Sequence, residues 1–351
     1  MPNVTPAPPK TASLSLSPLR LERMGAGLET LALWLCDLIE GGFNAFRIQR
    51  NQAAWDEIIT RMVDAELPGV VSALRRLKWV SNTRAEWADY LLEGTSRLYL
   101  MAEAFQRRHQ LTEPEQADLY LALGCQPTAE EIASAPAVKD TWYIVGLRSE
   151  RDTESHLPPI PPFLPSPPTN EEHHVHRIWL WGAHSRRWAL LSVSGWALKQ
   201  GETLLAPGNK LKTEIVYFPS MSPLRGALRH VPVEHLIPDA SGAITPPLTQ
   251  MRGEKTPTAA LDAAARRFAQ NPWLERLPFL LEGVTPILRE DGRWAFAGAA
   301  EEPIIVTSPL FRKGWEVLAV SGGKPVTLFG EWNGSSLFPL AIFTPHQTVW
   351  L

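Results

Sequence analysis

The stretch Leu28-Glu29-Thr30-Leu31-Ala32-Leu33-Trp34-Leu35-Cys36-Asp37-Leu38-Ile39 decides the first half of the fold. Its leucines at 28, 31, 35 and 38 recur at three- and four-residue spacing, which places them on one face of an amphipathic α-helix. Further helices are predicted at about residues 52–65, 69–77, 84–108 and 115–123. Helices with short connections are typical of an antiparallel bundle. The sequence therefore predicts a helical domain over residues 21–138.

After residue 138 the helical spacing gives way to short runs of β-branched and aromatic residues. Residues 141–147 (TWYIVGL) are typical of a strand, and Asp291-Gly292 between two apolar runs predicts a hairpin. We also expect a strand at residues 315–320 and one helix near 257–270, where Thr256 provides the N-cap. The predicted fold class is α+β: an N-terminal all-α helical domain, then a β-rich, mainly antiparallel C-terminal domain with one helical insertion, residues 139–351.

Two segments carry no periodic pattern. Residues 1–20 are rich in proline, serine and threonine, and we predict a disordered tail. Residues 157–168 contain seven prolines in twelve positions, which predicts a proline-rich loop of extended polyproline II conformation.

Composition excludes several classes of protein. The chain has 351 residues, of which 44% are hydrophobic and 20% charged, as in a globular protein. A net charge of -3 argues against a strongly basic nucleic-acid protein. Two cysteines exclude a disulfide framework and a four-cysteine zinc site. With neither a signal peptide nor an apolar run of about 20 residues, the expected location is the cytoplasm, without membrane partners.

No catalytic motif is complete, so we interpret the protein as non-catalytic and expect no cofactor. Residues 321–325 (SGGKP) resemble half of a phosphate loop, but Leu318 occupies the position of the first glycine. His174 and His176 would project to one face of an extended segment, which makes them weak candidates for a metal site. A solvated loop end is the alternative for these histidines.

Basic residues form two short clusters. One holds Arg75, Arg76 and Lys78, and the other holds Lys210 and Lys212. Such clusters could contact phosphate groups, which makes these residues weak candidates for nucleic-acid binding. Ordinary surface charge is the alternative, because the clusters are short and the overall charge is negative.

Tryptophan and proline supply the candidate contacts with a protein partner. Trp179 and Trp181 lie on one face of a predicted strand, with Trp188 nearby, and tryptophan is favoured at interface hot spots. Core packing is the alternative for these three side chains. The proline-rich loop offers a preformed docking strip. Its candidate contacts are Pro158, Pro159, Pro161 and Pro162.

Two blocks of the sequence carry a family resemblance. The first is GLETLALWLCDLI (27–39) with RMVDAELPG (61–69). The second is IWLWG (178–182) with RWALL (187–191) and EIVYFPS (214–220). Both resemble the region that follows the zinc finger in bacterial SWIM zinc-finger proteins, and the resemblance covers about residues 23–230.

The chain resembles a finger-less relative of that family. The family's finger is Cys-x-Cys followed by Cys-x-His, whereas Cys36 and Cys125 lie in neither motif, so no metal ligand is carried over. Such proteins tend to be encoded beside MoxR-type AAA+ ATPases and von Willebrand A-domain proteins. The resemblance therefore implies a companion role with these protein partners. The expected function is a non-catalytic interaction or adaptor protein, and a nucleic-acid-binding module and an enzyme of unrecognised type remain alternatives.

Overall fold

The computed structural model describes most of the chain. The described residues are 9–43, 52–83, 87–151, 174–194, 205–230, 235–236, 251, 253–290, 292–298, 306–308, 311–344 and 347–351. The proline-rich loop predicted at residues 157–168 lies outside them.

The N-terminal part is helical, as predicted. Its helices are α1 (Pro18–Glu40), α2 (Gln52–Asp64), α3 (Pro68–Thr83), α4 (Trp87–Gln106), α5 (Glu113–Ala122) and α6 (Ala129–Ser134). Local chemistry explains where helices begin. Ser17 caps α1 by accepting a hydrogen bond from the backbone N–H of Arg20, and a capping box of Thr112 and Glu115 begins α5.

The bundle buries the leucine stripe of α1 in an apolar core. Helix α1 contacts α2 and α4, and α3 contacts the same two helices. The buried residues of α1 are Met24, Gly27, Leu28, Leu31, Leu35 and Leu38. A Cβ atom at Gly27 would lie 2.4 Å from Cβ of Ala65, so glycine is what allows this close approach. The predicted helical stripe is therefore confirmed as the core face.

The first β-sheet closes into a small barrel. Its strands are β1 (Val138–Arg151), β2 (His174–Gly182), β3 (Trp188–Ser194), β4 (Lys210–Tyr217) and β5 (Arg225–Leu228). Their order is β1-β2-β3-β5-β4, and β4 pairs back with β1, while β6 (His235–Leu236) extends from β4. The β3–β5 pairing is parallel and the others are antiparallel. In an open sheet β1 and β4 would be edge strands with unpaired backbone groups. Pairing them with each other closes the barrel.

The alternation of side chains along the strands gives the barrel two apolar surfaces. Trp142, Ile178 and Leu180 belong to the cluster inside the barrel. Trp179 and Trp181, on the opposite face of β2, belong to a separate cluster with the second sheet. The barrel therefore has an interior core and an outer wall that is also buried.

The second sheet covers that outer wall. Its strands are β7 (Leu277–Leu288), β8 (Trp294–Ala297), β9 (Val306–Ser308), β10 (Val326–Trp332), β11 (Leu337–Phe343) and β12 (Thr348–Trp350), in the order β12-β11-β10-β7-β8-β9. The rings of Phe329 and Trp188 stack across the interface with centroids 4.9 Å apart. The antiparallel β7–β8 pair confirms the predicted hairpin, and the β-rich C-terminal domain is confirmed with it.

Two helices accompany the second sheet. The predicted helix is present as α7 (Pro257–Gln270), with Thr256 as its N-cap. The strand predicted at residues 315–320 is wrong, because these residues lie in α8 (Phe311–Ser321). Helical geometry buries Val317 while leaving Trp315 46% exposed. Tertiary packing overrides the β-propensity of this segment, since Trp294 of β8 lies edge-on to Trp315 with ring centroids 4.9 Å apart.

The disordered tail predicted for residues 1–20 is corrected for its described part. Ala12 is buried, and its backbone N–H donates to the carbonyl oxygen of Tyr217 at 2.8 Å. The hydroxyl and the backbone N–H of Ser15 both donate to Glu131, and α1 already begins at Pro18. Residues 9–20 are thus ordered by contacts far away in sequence, which local composition cannot indicate.

Candidate functional site

A buried carboxylate lies at the centre of the contact between the barrel and the second sheet. The side chain of Glu331 is fully buried. Nε and Nη2 of Arg177 donate to its two oxygens at 2.8 and 3.0 Å, and Nε1 of Trp179 donates to Oε1 at 2.9 Å. Nη1 of Arg148 lies 3.2 Å from Oε2, and Nε of Arg276 lies 3.7 Å from it. The described residues thus place three guanidinium groups around one carboxylate.

Strand register brings these groups together. Arg177 and Trp179 are two residues apart on β2, so both face the second sheet, and Arg148 pairs with Arg177 across β1 and β2. In the second sheet, Glu331 of β10 pairs with Pro278 of β7, close to Arg276 at the start of that strand. The cluster therefore joins strands that are distant in sequence.

The electrostatics of the cluster favour the charged form of Glu331. Burial by itself raises the pKa of Glu331, but the charges of Arg177, Arg148 and Arg276 outweigh burial and hold this pKa well below its usual range. Glu331 is therefore ionised at neutral pH.

A cleft of about 380 Å³ opens beside this cluster, between the bundle and the barrel. Its charged lining residues are Arg76, Arg177, Arg225, Arg276, Asp118 and Glu275. Arg76 comes from α3 of the bundle, and Arg177 and Arg225 come from β2 and β5 of the barrel. The cleft thus exists only in the folded arrangement of both parts.

Glu275 is the common neighbour of two arginines in the cleft. Its Oε1 lies 3.7 Å from Nη2 of Arg76, and its charge also acts on Arg225. Burial lowers the pKa of Arg225, and the charge of Glu275 opposes that shift. The Arg225 guanidinium lies over the ring of Phe218, 5.9 Å from its centroid. In the part of the chain that the structure describes, the guanidinium group of Arg225 makes no hydrogen bond and no salt bridge, whereas its backbone carbonyl accepts from the N–H of Phe218.

Asp118 connects the bundle to the β-rich part at the edge of the same cleft. Its oxygens accept hydrogen bonds from Nδ2 of Asn271 and, at 2.9 Å, from the backbone N–H of Met221. Burial raises the pKa of Asp118, and the hydroxyl of Ser220 opposes that shift. These contacts hold α5 against the segment after β4 at the edge of the cleft.

A second buried carboxylate organises the turn between β2 and β3. Asp140 accepts hydrogen bonds from the backbone N–H of Ser185 at 2.7 Å and from Nδ1 of His184 at 2.9 Å. The His184 ring is 83% exposed, so one face of the pair is open to solvent. A Cβ at Gly182 would lie 2.2 Å from Oγ of Ser185, which shows how tightly the turn is built. We interpret Asp140 as the anchor of this turn.

The tryptophan candidates for partner contact are corrected by their burial. Trp179 is fully buried and Trp181 is 7% exposed. Trp188 is partly buried, with its ring 4.9 Å from that of Trp181. These side chains fill the barrel–sheet interface, because alternation along β2 turns them toward the second sheet. Trp179 and Trp181 share one face of β2, as predicted, but the second sheet of the same chain covers that face.

The basic candidates do not form one surface in the structure. Nζ of Lys78 contacts Oδ1 of Asp56 at 2.6 Å, and Arg76 faces Glu275. On a helix with 3.6 residues per turn these two side chains project about 200° apart. Arg75 is exposed, Lys212 is exposed on β4, and Lys210 lies over the Tyr143 ring at 5.1 Å. Nucleic-acid binding by these residues stays an untested prediction.

The histidine and proline candidates are described only in part. Nδ1 of His176 lies 2.7 Å from Oγ of Ser149 on the neighbouring strand. His174 begins β2, and its side chain lies outside the described residues, as do Pro158, Pro159, Pro161 and Pro162. Within the described ranges, no group of three or more histidine, cysteine or acidic side chains could hold a metal ion.

Sequence reasoning missed Glu331, although a signal was present. The strand Val326–Trp332 reads VTLFGEW, in which a single carboxylate lies among apolar residues, and Arg177 has a similar position in HVHRIWLWG. Isolated opposite charges in strands that are otherwise buried indicate a buried ion pair. Arg225 and Glu275 carry no such signal, because their meeting depends on the fold.

Comparison with known proteins identifies the bundle. The family model of the SWIM-associated four-helix bundle domain matches residues 19–123. No curated protein and no solved structure matches the chain. The matched range covers α1 to α5, so the chain contains a SWIM-associated bundle followed by a barrel and a second β-sheet.

Among the described helices, none combines the length and the hydrophobicity that crossing a bilayer requires.

Proposed function

We propose that this protein is a non-catalytic adaptor that docks a protein partner through an apolar face of its helical bundle. The observation that carries the proposal is the exposure of three large apolar side chains on α4. Leu92, Tyr99 and Leu100 are 55%, 37% and 58% exposed. Their spacing of seven and eight residues places them on one side of the helix.

The opposite side of α4 holds this helix in the bundle. Leu91, Leu98 and Met101 are buried in the apolar core. The exposed side chains are therefore presented on a rigid element, which lowers the entropic cost of binding. Exposed apolar side chains that cluster on one face are typical of protein interaction sites.

The proposed partners are a MoxR-type AAA+ ATPase and a von Willebrand A-domain protein of the cytoplasm. The resemblance of residues 23–230 to proteins that accompany such systems supports this proposal, and so does the family match of the bundle. The adaptor would contribute the α4 face, and the ATPase would supply the mechanical work.

The test is a pull-down with the tagged full-length chain from the native host, with and without ATP. The double variant Leu92→Glu/Leu100→Glu places two charges on the α4 face. The matched control is Ile287→Glu/Leu288→Glu, which charges two exposed apolar residues of β7 that are 39% and 44% exposed. We expect the wild type and the control to retain the ATPase, and the α4 variant to lose it.

Two results would contradict the proposal. One is that the wild-type chain retains no AAA+ ATPase under either nucleotide condition. The other is that the α4 variant, shown to be folded by circular dichroism, retains the ATPase as the control does.

A further inference from the structure

The cleft between the bundle and the barrel combines a shape and a charge that the adaptor role does not use. Its volume of about 380 Å³ lies within the range of small-molecule sites, which is roughly 300–1,000 Å³. The guanidinium group of Arg225 in its wall has no salt bridge or hydrogen bond with the residues that the structure describes. Removing part of a guanidinium group from water without pairing it with an anion costs free energy. A bound anion would offset that cost.

The surroundings of Arg225 hold its guanidinium in place. The ring of Phe218 lies beneath it, with the guanidinium carbon 5.9 Å from the ring centroid. The charge of Glu275 acts on Arg225, and Oε1 of Glu275 lies 3.7 Å from Nη2 of Arg76. The charge of one carboxylate thus acts on two guanidinium groups in the wall of the cleft.

We infer that this cleft binds a small organic anion whose phosphate or carboxylate group is held by Arg225 and Arg76. A planar guanidinium donates two parallel hydrogen bonds to either kind of oxyanion. Behind them, Arg177 and Arg276 line the cleft and are shared with Glu331, which adds positive potential. The positive potential of the cleft is what selects an anion.

The rest of the lining fits the organic part of such a ligand. Trp273, Leu224 and Phe218 contribute apolar surface, and Ser72 and Ser222 contribute hydroxyl groups. Apolar surface beside charged and hydroxyl groups suits a small molecule that has an organic part and an anionic group. The inference does not depend on the adaptor role, because the cleft and the exposed face of α4 use different residues.

The test is the thermal unfolding of the full-length protein with phenyl phosphate and, separately, with benzoate. Sodium chloride keeps the ionic strength constant across each titration. We expect a saturable rise in the unfolding midpoint with at least one of the two probes, because a ligand that binds only the folded state stabilises it. The probe with the larger shift identifies the preferred head group.

Arg225→Met keeps an unbranched apolar side chain and removes the charged guanidinium group. We expect this variant to bind the effective probe about tenfold more weakly or worse, since a desolvated charge pair is lost. The matched control is Arg266→Gln on α7, an exposed arginine outside the cleft. If Arg225→Met does not fold, Arg76→Gln carries the same test.

Two outcomes would overturn the inference. In the first, neither probe shifts the midpoint beyond the effect of sodium chloride. In the second, the cleft variant responds to the probe as strongly as Arg266→Gln does. Loss of ATPase capture by the α4 variant with an unchanged probe response would separate this site from the docking face.

Discussion

The bundle core and the contact between the barrel and the second sheet are both buried, but they are held together differently. In the bundle, apolar side chains of α1 such as Leu31 and Leu35 pack against neighbouring helices and need only to be kept from water. In the barrel–sheet contact, Glu331 requires Arg177 and Arg148 at defined distances. Apolar side chains can therefore be buried in many packing arrangements, whereas a buried carboxylate requires an arrangement that places cations and hydrogen-bond donors around it.

The energetics follow from this difference. Burying one leucine side chain stabilises a fold by about 1.5–3 kcal/mol whatever apolar surface covers it. Burying a carboxylate costs several kcal/mol unless cations and hydrogen bonds offset the loss of water. Glu331 therefore specifies which sheet packs on the barrel, since a displaced register would leave it without its arginines.

The largest effect is expected from Glu331→Gln. The change removes the anion and leaves buried guanidinium groups facing each other, so the free energy of unfolding should fall by about 3–5 kcal/mol. Urea unfolding of the full-length chain measures this loss. The control is Glu57→Gln, which breaks the exposed pair with Arg61 and should cost less than about 1 kcal/mol. Equal losses in the two variants would show that the cluster does not hold the interface.

A comparable or smaller effect is expected in the bundle from Leu35→Ala. Leu35 is fully buried, so the change leaves a cavity and should lower the free energy of unfolding by about 2–5 kcal/mol. Leu33→Ala, at a position 70% exposed on the same helix, should change it by less than about 0.5 kcal/mol. Denaturant curves of both variants test the comparison, and a small loss for Leu35→Ala would mean that the bundle core repacks.

The smallest change in the free energy of unfolding is expected from lowering the pH. Because its arginine partners lower the pKa of folded Glu331, this residue stabilises the fold above its unfolded pKa of 4.5 and loses that contribution as the pH falls. Between pH 4.5 and 3.5 the wild type should lose about 1 kcal/mol more stability than Glu331→Gln does. Thermal unfolding across this range measures the two slopes, and parallel slopes would contradict the assignment of a charged, buried Glu331.

Much of the architecture could be predicted, because its causes are local. The helical spacing of 28–38, the N-cap Thr256 and the turn at Asp291-Gly292 each act within a few residues. The strand predicted at residues 315–320 is wrong, because this segment forms a helix whose Gly314 and Trp315 lie against the ring of Trp294. The candidate site was missed because it also depends on tertiary structure: Arg225 and Glu275 come close enough to interact only after folding.

The sequence by itself determined the helical first half, the β-rich second half and the buried face of α1, because hydrophobic spacing and capping act over one or two turns of chain. It also placed Trp179 and Trp181 together on one face of β2. Only the tertiary structure decided that the second sheet covers this face, that Glu331 meets Arg177, and that a positively charged cleft separates bundle from barrel. These features join residues more than 100 positions apart, and no local pattern encodes which distant charge will be the partner.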